Sequence, residues 1–74
     1  MNQKLNLDQY LNKNPPDFDG IIRAIKPFGL YRAERHLVRA RRMWCIDEET
    51  ATAFAKIAMH HIFKYCNGHG IIVE

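Results

Sequence analysis

Six arginines and one lysine crowd into a twenty-residue stretch, and they are the side chains in this sequence with the clearest chemistry. Arg23, Lys26, Arg32, Arg35, Arg39, Arg41 and Arg42 stand against a single acid there, Glu34. A guanidinium is planar, always charged and able to donate two parallel hydrogen bonds, so it suits phosphate or carboxylate better than an ammonium does. On a helix, Arg32, Arg35, Arg39 and Arg42 fall within roughly 80° of one another. Ala33, Leu37, Ala40 and Trp44 form a narrow apolar seam centred roughly 150° away. No acid stands four residues before any of the four arginines, so they have no intrahelical partner at that spacing. Such a stripe suits a phosphate backbone, each arginine releasing a counterion, with Tyr31 and His36 placed to add stacking or phosphate contacts. It can also serve, as a second choice, the carboxylates of an acidic protein partner. The bland alternative is a solvated face, partly paired with Asp47, Glu48 and Glu49.

Other chemistries are poorly supplied. Cys66 and His69 have a spacing seen in metal sites, but His60 and His61 diverge by about 100° on a helix, and neither CxxC nor HxxxH occurs. Cys66 reads better as a small core residue, with His61 at the edge of the apolar face and His60 and His69 exposed. The chain contains no serine, its two threonines, Thr50 and Thr52, begin a helix, and no pair of acids brackets a cleft. No catalytic residue, metal ligand or cofactor-binding residue is assigned, and the expectation is a protein that is not an enzyme and needs no cofactor.

Four helical segments must position these groups. The first spans about Asn6–Lys13, with Asn6 as cap and Gln9 reaching back to it, and Asn14-Pro15-Pro16 stops it. The second starts from Asp17 or Asp19 and runs to Ile25, with Phe18, Ile21, Ile22 and Ile25 on one face, before a turn at Pro27 and Gly29. The third, about Leu30–Cys45, carries the arginines. The fourth, about Glu48–Cys66, has Asp47 as cap, acids in its first turn and Asn67-Gly68 as a stop with glycine in the left-handed position. Its apolar face is wide: Ala51, Phe54, Ala55, Ala58, Ile62, Tyr65 and Cys66, flanked by Ile57 and Phe63. The tail Ile71-Ile72-Val73 has strand propensity and no evident partner strand. Segments two and three resemble a helix-turn-helix only loosely. Ile25 stands where that motif wants a small residue, Arg35 where it wants a buried apolar one, and the turn carries a proline.

At 74 residues, 47% hydrophobic and 26% charged, the chain is one domain of ordinary globular composition, too short for a large enzyme scaffold. Outside the central basic segment the balance is acidic, so the net charge of +3 conceals a bipolar molecule. Met1 to Lys13 is polar and lacks the apolar core of an export signal, and no apolar run approaches the ~20 residues that span a bilayer. Two cysteines do not make a disulfide framework, so both are expected as thiols in the cytoplasm. An arginine- and tryptophan-bearing helix can also lie on a membrane surface, but a narrow seam built partly of alanine suits packing within the fold.

The expected fold is all-α: four helices, the last two forming an antiparallel pair, with a short extended C-terminal tail. The expected function is a small cytoplasmic regulator binding DNA or RNA through Arg32, Arg35, Arg39, Arg42, Tyr31 and His36. The alternative is an inhibitor or adaptor docking the same face on an acidic or nucleic-acid-binding protein surface. Size and charge suit a bacterial, plasmid or phage accessory factor. The fourth helix has more apolar surface than three short helices can cover, so a homodimer is also expected.

Overall fold

A computed structural model describes residues 3–74. The element order is β1 (Lys4–Leu5), α1 (Asp8–Leu11), α2 (Phe18–Ile25), a 3-10 turn (Lys26–Phe28), α3 (Tyr31–Met43), α4 (Glu48–Gly68) and β2 (Ile72–Val73). Local chemistry accounts for the main boundaries. The Asp17 carboxylate accepts from Gly20 N–H at 3.0 Å and starts α2. Asp47 does the same for α4, accepting from Thr50 N–H at 3.3 Å and from the Thr50 hydroxyl at 2.6 Å. Gly29 sits at φ 68° and turns the chain from the 3-10 segment into α3. At Gly20 an added Cβ would come within 2.5 Å of Tyr10 Cε1, so the missing side chain is what lets Tyr10 lie against α2.

The core is one apolar cluster drawn from every layer. Ile21 and Ile25 from α2, Ala33, Leu37 and Ala40 from α3, and Ala51, Ala58 and Ile62 from α4 are fully buried. The alanines let α3 and α4 approach closely, and this pair forms the most extensive interface in the molecule. Phe28 packs on Tyr65 and His36 on Phe54 and His61, which fixes the register of the pair.

Several expectations need correction. The fold is mostly helical, broadly as expected, but it adds one small sheet in which β1 and β2 pair in parallel, Lys4 opposite Ile72 and Leu5 opposite Val73. The tail therefore has a partner strand, supplied by Lys4–Leu5, ahead of the first expected helix. Ile72 N–H donates to Gln3 C=O at 2.9 Å and Glu74 N–H to Leu5 C=O at 2.9 Å. The first helix is a single turn shorter than Asn6–Lys13 and is not capped by Asn6. Its leading N–H groups, on Leu7 and Asp8, donate instead to the Glu74 carbonyl at 2.7 and 3.0 Å. α4 continues through Gly68, and the left-handed glycine that ends it is Gly70, at φ 68°. Trp44 is half-buried, with its ring edge-on to Phe18 at 5.7 Å, and does not close the seam as completely as Ala33, Leu37 and Ala40 do.

Candidate functional site

α3 presents its buried seam to α2 and α4, and the helical period therefore directs Arg32, Arg35, Arg39 and Arg42 outward. All four are exposed. None of them forms an ion pair among the described residues. The acids that might have absorbed them are occupied elsewhere or distant. Glu34 pairs with Lys26 at 3.6 Å, and Asp19 pairs with Arg41. Asp47 caps α4, and its two hydrogen bonds from Thr50 hold its carboxyl below the usual carboxylate range. The pairing of arginines with Asp47, Glu48 and Glu49 that the bland alternative invokes does not occur among the described residues.

Three of the four arginines share one surface feature. Arg35, Arg39 and Arg42 line an open groove of about 500 Å³ with Tyr31, Lys26 and Glu34, and Val38 lies between them as an apolar wall. Arg32 lies apart, in a second hollow on the other side of Tyr31 that extends to His61. Tyr31 borders both and is 73% exposed.

His36, grouped with the arginines from its sequence position, belongs to a different environment. Its Nδ1 donates to the Arg32 carbonyl at 2.7 Å, and its ring lies between α3 and α4 against Phe54 and His61. It is half-buried and packs the helix pair together rather than standing on the basic face.

Lys26 and Glu34 were not singled out as site residues. Their signal in the sequence is the Pro27–Gly29 turn, which folds Lys26 back beside the first turn of α3.

The other reactive side chains are dispersed. Cys66 is buried in the core, where desolvation pushes its thiol up, whereas Cys45 is exposed in the α3–α4 turn. His69 stacks on Tyr65 at 4.1 Å. Among the described residues no three His, Cys, Asp or Glu side chains converge as a metal site would require. The helix-turn-helix comparison remains loose in three dimensions: Ile25 is fully buried at the turn, and Arg35 points to solvent where that motif would bury an apolar side chain. No helix among the described residues is long and apolar enough to cross a membrane.

No family model matches this chain, and comparison with curated proteins and with solved structures likewise finds no match.

Proposed function

We propose that the protein is a non-enzymatic nucleic-acid-binding regulator whose α3 lays Arg35, Arg39 and Arg42 along a phosphate backbone, with Arg32 contributing from the neighbouring hollow. One observation carries this reading: four exposed guanidinium groups on one helix have no carboxylate partner among the described residues, although the chain contains eight acids. Uncompensated like charges along one helix repel one another, and a polyanion relieves that repulsion. The antiparallel arrangement of α3 and α4 belongs to the same reading. It is supported by the short connection between them and by the pairing of Phe28, before α3, with Tyr65, late in α4. It leaves the outer face of α3 unobstructed. A cytoplasmic location agrees with two free thiols, Cys45 and Cys66.

The second reading is an inhibitor or adaptor that presents the same arginines to an acidic protein surface. It is favoured by the apolar wall of the groove, since Val38 and Tyr31 between charges give the mixed character of a protein interface. Binding of labelled duplex and single-stranded oligonucleotides across a salt series separates the two. Nucleic-acid binding gives an affinity that falls steeply and log-linearly with salt, with a slope of about −0.7 to −0.9 per phosphate engaged. No detectable binding at low salt refutes the first reading and leaves the protein-partner reading.

A further inference from the structure

We infer that the Tyr31 end of the groove takes an unpaired base of a single-stranded nucleic acid while Arg39 and Arg42 hold the adjoining phosphates. This rests on the nucleic-acid reading above and adds to it a strandedness and a division of labour.

The Tyr31 ring is the most exposed aromatic in the described chain, and it forms no aromatic pair there. Its π face is therefore free, and an exposed aromatic beside a basic track is how sequence-tolerant single-strand binders hold a base. The groove is also electrostatically uneven. At the Tyr31 end Glu34 and Lys26 neutralise each other at 3.6 Å, whereas Arg39 and Arg42 at the other end have no acid partner among the described residues. An anion is drawn to the arginine end, and an uncharged heterocycle meets no penalty at the Tyr31 end. The lone pairs of Glu34 not engaged by Lys26 can accept from exocyclic amino groups of the base.

The spacing suits a strand laid along the helix. Tyr31, Arg35 and Arg39 follow one another at four-residue intervals, about 6 Å of rise each. A duplex uses only half of this arrangement. Its bases are stacked on each other, so it engages the arginines and leaves Tyr31 idle.

The test is fluorescence anisotropy with oligodeoxy- and oligoribonucleotides of about 12 nucleotides, single-stranded and as the duplex of the same sequence. The proteins compared are the wild type, Tyr31→Ala, Tyr31→Phe and the double variant Arg39→Ala/Arg42→Ala. The expected result is tighter binding of the single strand than of the duplex. Tyr31→Ala weakens single-strand binding by about 5- to 100-fold and leaves duplex binding unchanged, and Tyr31→Phe retains both. The arginine double variant weakens both and flattens the salt dependence. The deoxy and ribo arms identify which sugar the strand carries. Unchanged single-strand affinity in Tyr31→Ala, with salt-dependent wild-type binding intact, overturns the base site and leaves the nucleic-acid reading standing. No wild-type binding to any oligonucleotide at low salt overturns both.

Discussion

Arg35 and Arg39 occupy successive turns of α3 with their side chains in solvent and no ion partner among the described residues, so their removal takes nothing from the packing of the fold. Arg35→Ala/Arg39→Ala is expected to keep the far-ultraviolet circular dichroism spectrum of the wild type. Its nucleic-acid affinity should fall, with the salt slope reduced by about 1.4–1.8 for the two phosphates lost. A loss of helicity in this variant would place those side chains in the fold rather than on its surface. Trp44 presents the opposite case. From its place in the apolar seam it reads as a buried closing residue whose truncation would unfold the domain. In the structure it is half-buried, and Phe18 meets it edge-on. Trp44→Ala is accordingly expected to lower stability by about 1–3 kcal/mol and to retain a cooperative thermal transition. Helical periodicity names the face on which Trp44 lies. It does not reveal that α3 ends at Met43, so that Trp44 stands at the helix end rather than inside the seam.

Among the elements, α2 and α4 are legible because their start signals are local: an aspartate, two intervening residues and the N–H it caps, followed by apolar residues at helical spacing. The cap of α4 also gives a pH dependence. Asp47 titrates below its ordinary range in the folded protein, so its contribution to stability is complete above the unfolded-state value and is lost as the pH falls through the lower, folded one. Thermal midpoints measured down through the acidic range should therefore fall more in the wild type than in Asp47→Asn. The amide keeps an acceptor for Thr50 and has no charge to lose. Equal slopes would mean that the carboxylate is not what holds this helix start. The small sheet was illegible for the converse reason. Two-residue strands show no alternation, and the partner of Ile72 lies near the other end of the sequence, beyond the reach of any local pattern. The left-handed stop was likewise misplaced from Gly70 to Gly68. Both glycines allow that conformation, and the choice is made by the Ile71 N–H, which donates to Cys66 C=O at 2.8 Å to bring the tail back onto the core.

The whole molecule is elongated, 42 × 21 × 17 Å, with α4 running most of its length. The arginine stripe was readable before the fold was known, because one helix sufficed to compose it. The groove was not, because Lys26 arrives from a turn and His36 rotates into the α3–α4 interface. α4 does expose apolar surface: Ile57 and Phe63 are about half exposed, and Phe63 lines a hollow of about 450 Å³ with Trp44 and Met59. We propose that this surface is covered by a second copy of the chain in a homodimer. Sedimentation equilibrium at micromolar concentration is expected to show twice the 8.7 kDa chain mass, and Phe63→Lys is expected to reduce it to the monomer. A single wild-type species at 8.7 kDa would rule the dimer out. The clasp between β1 and β2 has a consequence for the order of events in folding. Closing residue 4 onto residue 72 carries a large loop entropy, whereas α3 and α4 meet across a short turn. The helix pair should therefore be formed in the rate-limiting ensemble and the clasp added after it. Ile71, 8% exposed beside that clasp, is the natural probe. Ile71→Ala should lose about 2–5 kcal/mol, almost all of it as faster unfolding with the refolding arm of the chevron unmoved, whereas Leu37→Ala should slow refolding itself.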